Sequence, residues 1–89
     1  MTESVEVRRK RLLYRSWHRG TREADLLIGT FADRNLADFD GEMLDQFARL
    51  LAENDPDIYD WMTERTPVPP EHDNPVTVLL RQFRFPSAS

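Results

Sequence analysis

The sequence predicts an all-α protein, a compact five-helix bundle, and three observations lead to that prediction. Apolar residues recur at helical spacing along most of the 89-residue chain, and β-branched residues nowhere alternate with polar ones. Glycine occurs at only three positions. Two residue pairs, Asp55-Pro56 and Asn74-Pro75, have the form of a helix start, an N-cap residue followed by proline. The length allows a single helical domain, residues 1–89, with flexible ends at about 1–6 and 85–89.

The first predicted helix begins at Val5 or Arg8 and ends at His18. Most of its surface is basic, and its narrow apolar stripe comprises Leu12, Leu13 and Trp17. Gly20 follows at the place where a helix C-terminus needs a residue with positive φ. We therefore expect a tight corner between the first helix and the second.

The second and third helices each follow a predicted N-cap. Thr21 can cap the second, with Glu23 and Asp25 in the first turn, where carboxylates complement the helix dipole. This helix ends near Leu36 and buries Ala24, Leu27, Ile28 and Phe31. Asp40 caps the third helix, whose apolar residues at the helical spacing are Met43, Leu44, Phe47, Leu50 and Leu51.

Proline marks the start of the last two helices and the connection between them. Asp55 is predicted to N-cap the fourth helix, whose buried face comprises Ile58, Trp61 and Met62. Residues 66–70 contain three prolines and are predicted to form an extended connector. The fifth helix follows Asn74 and buries Val76, Leu79, Leu80 and Phe83. Residues 86–89 are expected to fray.

The net charge of −4 conceals a strong asymmetry along the chain. Residues 8–22 hold seven of the twelve basic residues, whereas residues 38–73 hold eleven carboxylates and only two cations, Arg49 and Arg65. Such a division gives one positive and one negative region. Two interpretations stay open: the regions attract each other within the bundle, or the basic helix binds an anionic partner.

Composition and spacing argue against several classes of function. The chain has no cysteine, which excludes disulfides, thiolate metal sites and a cysteine nucleophile, and fits a reducing compartment. No apolar run reaches the length of a membrane span, and Glu3 and Glu6 argue against a transit peptide, so the predicted location is cytoplasmic. His18 and His72 lack metal-ligand spacing and are interpreted as surface residues. No nucleophile and base or phosphate loop is present, so neither an enzyme nor a metal site is predicted.

The basic first helix and the segment 19–23 are the two candidate binding sites. The basic helix with Tyr14 and Trp17 has a composition suited to binding nucleic acid. The protein as a whole is acidic, with a pI of about 5.1, which argues against that function. In the segment 19–23, capping accounts for Thr21 and the helix dipole for Glu23, while Arg19 has no structural explanation. A guanidinium next to a glycine offers a planar set of donors that can enter a cleft on another protein. The sequence therefore predicts a protein-binding corner.

Residues 8–23, Arg-Arg-Lys-Arg-Leu-Leu-Tyr-Arg-Ser-Trp-His-Arg-Gly-Thr-Arg-Glu, resemble the signature of the succinate dehydrogenase assembly factors. These proteins, also called flavinators, are marked by an Arg-Gly-x-x-Glu motif. The likeness continues through residues 25–31 and 55–62 and covers roughly residues 8–65, leaving the tail after Pro67 without a family pattern. The resemblance implies a partner-binding surface that comprises Arg8, Arg19, Gly20, Glu23, Asp55 and Asp57, with Trp61 in the second patch.

The resemblance also implies a function. Members of the family bind the flavoprotein subunit of succinate dehydrogenase, and in some cases fumarate reductase, and promote covalent attachment of FAD to one of its histidines. The factor needs no tightly bound cofactor, because the FAD on which it acts is held by the partner. It is expected to act by positioning, without catalytic residues of its own, and to be a monomer when free. Glu23 is expected to orient Arg19 or Arg22, or to cap its own helix.

A second function belongs to another class. Some members of the family have been labelled antitoxins, which would make the acidic region a neutralising surface for a basic or membrane-associated toxin. A plain helical adaptor that tethers a protein through its charged surfaces is a third hypothesis. Recovery of a flavoprotein in a pull-down distinguishes the assembly factor from both.

Overall fold

A computed structural model describes residues 4–83, and it contains five α-helices. They are α1 (Val5–Trp17), α2 (Arg22–Asn35), α3 (Gly41–Leu51), α4 (Asp55–Met62) and α5 (Pro75–Gln82). Two single-turn 3-10 helices, Leu36–Asp38 and Pro70–His72, lie in the connections. No strand occurs within residues 4–83, so the predicted all-α five-helix bundle is confirmed. In this part of the chain no helix is both long enough and apolar enough to cross a membrane.

Three of the predicted N-caps are confirmed by hydrogen bonds. The side chains of Thr21, Asp40 and Asn74 each accept a bond from the backbone N–H three residues further on, as an N-cap side chain does. Ser4 caps α1 in the same way. Because α1 begins at Val5, the flexible end predicted at about 1–6 overlaps the helix. The other predicted flexible end, at about 85–89, and the frayed residues 86–89 lie outside the described residues.

The start of α4 differs from the prediction. The N-cap is Asn54, which makes no side-chain capping bond, and Asp55 is the first helical residue. The Asp55 carboxylate accepts a hydrogen bond from the Arg19 guanidinium instead of capping α4. The predicted extended connector is also shorter than expected: Pro69 is extended, with φ −62° and ψ 152°, but Pro70 opens a 3-10 turn.

The core is formed by side chains from all five helices. Phe31, Phe39 and Phe47 form its centre, with ring centroids 5.8 to 6.4 Å apart, and each is at most 1% exposed. Phe39 follows the first 3-10 turn and was not part of any predicted helix face. Burying each of these rings contributes on the order of 2–3 kcal/mol to folding before the entropy cost. The remaining buried apolar residues are Leu12, Ile28, Ala32, Leu36, Leu44, Leu50, Leu51, Ile58, Trp61, Val76 and Leu80.

The face that α1 turns to the bundle is shifted by one residue from the predicted stripe. Leu12 and Ser16 are buried, whereas Leu13 and Trp17 are half-buried. The Ser16 hydroxyl donates to the Leu12 carbonyl at 2.7 Å, which allows a polar side chain to be fully enclosed. The Trp17 indole instead lies against Gly29 of α2. The absence of a side chain at Gly29 is what permits this close approach.

We expect Gly29→Ala to destabilise the fold through the Trp17 contact. A Cβ on Gly29 would lie 2.6 Å from Cε3 of the indole and closer still to two other ring carbons, so the indole must move. Overpacking of this kind costs about 1–3 kcal/mol. Urea unfolding followed by circular dichroism measures the loss, and tryptophan fluorescence reports the displaced indole.

Gly41→Ala is the matched control for that variant. A Cβ at Gly41, the first residue of α3, would meet only the Arg8 guanidinium, at 3.9 Å. Alanine there should leave the free energy of unfolding within about 0.5 kcal/mol of the native value. Equal stability of the two alanine variants would contradict the proposed tight packing of Trp17 on Gly29.

Candidate functional site

The Arg19 guanidinium joins the corner between α1 and α2 to the corner between α3 and α4. Its Nε and Nη2 both reach Oδ1 of Asp55, at 2.8 and 2.7 Å. Nη1 donates to the Leu51 carbonyl at 2.6 Å and Nη2 to the Glu53 carbonyl at 3.0 Å. The Arg19 side chain is 11% exposed and that of Asp55 24%, so water screens the pair only weakly. We call this set of contacts the Arg19 clasp.

The clasp satisfies the ends of two helices at once. Leu51 is the last residue of α3, so its carbonyl has no partner within the helix, and a cation is favourable at that end of the helix dipole. Asp55 is the first residue of α4, where an anion is favourable. Arg19 therefore places a positive charge at the C-terminal end of α3 and binds the negative charge at the N-terminal end of α4, and both charges are favourable there. The clasp explains the presence of Arg19 at this position, which the sequence alone does not.

The backbone of the corner is fixed independently of the clasp. The Arg19 N–H donates to the Asp25 carboxylate, six residues further on. Gly20 has φ 113°, a conformation that favours glycine, so the predicted positive φ is confirmed. A Cβ at Gly20 would have no atom within 4 Å, and the residue is exposed. Its backbone is thus open to a partner, and the glycine is required by conformation, not by packing within the chain.

A groove of about 750 Å³ separates the first turns of α2 from α4. It contains three of the residues that the sequence predicted to bind a partner, Glu23, Asp55 and Asp57, although 34 positions separate the first from the last. We call it the α2–α4 groove. The other residues that line it are Thr21, Ala24, Leu27, Ile28, Asn54, Pro56, Ile58, Tyr59, Asp60 and Met62.

A second depression, more open than the groove, shares Thr21 with it. It is lined by Gly20 and by Trp17, His18, Thr21, Arg22, Asp25 and Leu26. Because Thr21 lines both concavities, the exposed Gly20 backbone and the carboxylates of the groove form one continuous surface. Five of the six predicted site residues are therefore close together or hold this surface in place.

Arg8 is the exception. It lies eleven residues before Arg19, which corresponds to about 16 Å along a helix, and it pairs with Asp45 of α3. Its neighbour Arg9 donates to the carbonyls of Leu36 and Phe39 at 3.0 and 2.8 Å. Part of the basic helix thus binds acidic side chains and carbonyl groups within the bundle, as one of the two interpretations of the charge asymmetry expected.

The contacts of the other motif residues differ from what the sequence suggested. Within residues 4–83 the Glu23 carboxylate has no hydrogen bond or ion pair, so it orients neither Arg19 nor Arg22 there. Asp25, which sequence reasoning assigned to the helix dipole alone, takes the contact with Arg19 instead. The assignment of the six residues to partner binding stays a prediction.

His72 is buried, contrary to the expectation that both histidines lie on the surface. It is 3% exposed, its Nε2 lies 2.8 Å from Oε2 of Glu53, and its ring lies 5.3 Å from that of Trp61. Glu53 thus connects His72, through its side chain, with Arg19, through its backbone carbonyl. Glu71 adds a third side chain of a kind that can bind a metal ion. The three possible ligand atoms, one each from Glu53, Glu71 and His72, lie within 4.8 Å of one another. Glu53 is 18 residues from Glu71 and 19 from His72, and such separations do not match any metal-ligand spacing that a sequence motif would show.

We expect Arg19→Lys to destabilise the protein, although it keeps the charge. Arg19 contacts its acceptors through three separate nitrogens, and the single nitrogen of an ammonium cannot span them, so part-buried acceptors lose their donor. The loss of stability should be about 1–3 kcal/mol in urea unfolding.

Arg22→Lys provides the control, because Arg22 is exposed and its side chain has no ion pair or hydrogen bond within residues 4–83. Its stability should change by no more than about 0.5 kcal/mol. If the two lysine variants unfold at the same urea concentration, the clasp does not stabilise the fold.

Comparison with known proteins matches residues 10–84 to a family described as flavinator of succinate dehydrogenase. The match extends past residue 65 through α5, so the tail after Pro67, expected to lack a family pattern, is part of it. It begins after Arg8. Among relatives, "succinate dehydrogenase assembly factor 2-A, mitochondrial" of Drosophila mojavensis is 48% identical over 82 residues, 90% of this chain and 52% of that protein.

Two further relatives come from the same genus. Assembly factor 2-A of Drosophila sechellia is 44% identical over 82 residues, and assembly factor 2-B of Drosophila melanogaster is 40% identical over the same length. These alignments cover 90% of this chain and 50% and 53% of the relatives. The chain therefore spans about half the length of the curated relatives it matches. Together with the match over residues 10–84, these identities show that the chain belongs to the family of flavinators of succinate dehydrogenase.

Proposed function

We propose that this protein is an assembly factor that binds the flavoprotein subunit of succinate dehydrogenase and promotes its covalent flavinylation. The observation that carries the proposal is the open backbone at Gly20, held beside the α2–α4 groove by the Arg19 clasp. A surface of this kind suits docking on another protein, and the relatives are named for assembly of succinate dehydrogenase. The same role toward fumarate reductase is part of the proposal.

The factor acts by positioning in this proposal. The flavoprotein supplies both reactants, the bound FAD and the histidine that becomes linked to it, so the factor contributes no catalytic group and holds no FAD itself. Docking restricts the motion of the flavoprotein segment that carries one reactant, which brings histidine and isoalloxazine into contact distance. Restricting two reactants in this way can accelerate a reaction by several orders of magnitude.

The structure suggests a division of roles among the predicted site residues. Arg19 and Asp55 position the surface, because their charges are bound to each other. Gly20, Glu23 and Asp57 are exposed and are proposed to touch the partner. Arg8 is 26% exposed and paired with Asp45, so we place it at the edge of the contact surface, if the partner extends along α1.

The oligomeric state and location belong to the same proposal. The free protein is proposed to be a monomer that forms a one-to-one complex with the flavoprotein. The cytoplasmic location stays a prediction, and the names of the relatives place those proteins in mitochondria. A pull-down with the tagged protein, probed for the flavoprotein subunit, tests the partner first, and recovery of none would overturn the proposal.

Gly20→Arg should abolish the increase in covalent FAD that the native protein produces in its partner. The new side chain enters open space in the free protein, but it projects from the backbone that the partner is proposed to approach. The variant is co-expressed with the flavoprotein in a strain that lacks the native factor. Covalent flavin is then scored by its fluorescence on a denaturing gel.

Gly20→Ala separates the effect of bulk from that of backbone strain. Both variants carry a side chain at φ 113°, which costs about 1–3 kcal/mol, so their stabilities should be similar. Alanine adds only a methyl group and should retain more flavinylation than arginine at equal stability. Undiminished covalent flavin with Gly20→Arg, or the same loss in both variants, would contradict the docking role of Gly20.

A further inference from the structure

We infer that the α2–α4 groove binds a cationic amphipathic segment of the flavoprotein, one that presents lysine or arginine beside an aliphatic side chain. The identity of the partner, the flavoprotein, rests on the proposed function. The chemistry of the segment follows from the groove itself, whose rim is acidic and whose floor is apolar.

The rim has an excess of negative charge. Four carboxylates line the groove, on Glu23, Asp55, Asp57 and Asp60, and no lysine, arginine or histidine is among the lining residues. Arg19 compensates Asp55, and Arg65 lies 3.8 Å from Asp60. Glu23 and Asp57 have no cationic partner within residues 4–83, and both are exposed. Two uncompensated carboxylates on one concave surface attract a cation and repel an acidic segment.

The floor of the groove is apolar and only partly covered. Ile28 and Ile58 close it, at 3% and 1% exposure, while Leu27 and Met62 are half-buried and present apolar atoms to the opening. Tyr59 stands at the edge with 46% of its surface exposed. Methionine and tyrosine are enriched at protein interfaces, where the first adapts its shape and the second offers an apolar ring with a polar end. An aliphatic side chain between two cations would complement this surface.

A second copy of this chain is the competing occupant. The exposed face of α1 is basic and includes Val7 and Tyr14, at 47% and 64% exposure, so it resembles the segment we infer. If this face filled the groove of another molecule, the free protein would dimerise. Light scattering after size-exclusion chromatography decides the point: a dimer that Glu23→Gln with Asp57→Asn dissociates would overturn the flavoprotein as the occupant.

The first test uses the protein with a probe of known composition. A short helical peptide of lysine and leucine, with the leucines on one face, is titrated into the full chain labelled with ¹⁵N. Saturable shift changes should concentrate on residues that line the groove, and a peptide with glutamate in place of lysine should not produce them there. The changes should disappear in the variant with both Glu23→Gln and Asp57→Asn. Lysine-peptide shifts outside the groove, or equal shifts with both peptides, would overturn the inference.

The second test measures binding to the flavoprotein subunit. The variant with Glu23→Gln and Asp57→Asn should bind about tenfold more weakly at low ionic strength, and its affinity should depend less on salt than that of the native protein. The matched control removes two charges outside the groove, with Asp38→Asn in the 3-10 turn that follows α2 and Glu42→Gln in the first turn of α3. Both residues are exposed, and neither side chain has a hydrogen bond or ion pair within residues 4–83.

The outcomes separate the inference from the proposed function. If the groove variant binds the flavoprotein with native affinity and native salt dependence, the groove is not the site, although the proposed function stands. If the native protein does not bind the flavoprotein at all, the proposed function fails, and the peptide titration still decides the chemistry of the groove. An equal loss in the groove variant and the control would indicate a general charge effect and overturn the inference.

Discussion

The contacts of the Arg19 guanidinium are the constraint on which the candidate site depends. α1 and α2 meet at one corner, α3 and α4 meet at another, and Arg19 from the first binds a carboxylate and two carbonyls of the second. The Leu51 carbonyl lies at the end of α3, where it has no partner within the helix, the Glu53 carbonyl lies in the connection to α4, and Asp55 is the first residue of α4. A single planar group with five donors can satisfy them together, which an ammonium cannot. The clasp thereby joins the chain just before α2 to the start of α4, the two helices that line the α2–α4 groove.

This arrangement explains part of the charge asymmetry of the chain. Arg8 and Arg19, from the basic segment, are bound by Asp45 and Asp55, from the acidic segment, so opposite charges distant in sequence pair across the bundle. The charges that remain unpaired within residues 4–83 are the ones that a partner could bind. Glu23 and Asp57 are such charges, and they lie on the groove that the clasp shapes. Internal pairing therefore distinguishes the carboxylates that build the surface from those available to a partner.

The parts of this structure that the sequence predicted are those set by local interactions. Thr21, Asp40 and Asn74 cap helices through bonds to residues three positions away, and Gly20 has its positive φ because the chain turns there. Contacts between distant segments were not predictable, because spacing within a helix carries no information on which helix lies opposite. His72 was assigned to the surface, and the contact of Trp17 with Gly29 was not foreseen. The role of Asp55 was misread for the same reason, since its partner is 36 residues away.

The division between Arg19 and its neighbours changes how the Arg-Gly-x-x-Glu motif should be interpreted. A motif at a binding surface invites the assumption that each of its residues touches the partner. Here Arg19 is 11% exposed and bound within the chain, whereas Gly20 and Glu23 are exposed. Under the proposed function, loss of flavinylation on replacing Arg19 would follow from displacement of the surface, and loss on replacing Glu23 from removal of a contact with the partner. A protein that acts by positioning needs both kinds of residue, because a surface that moves cannot restrict the motion of its partner.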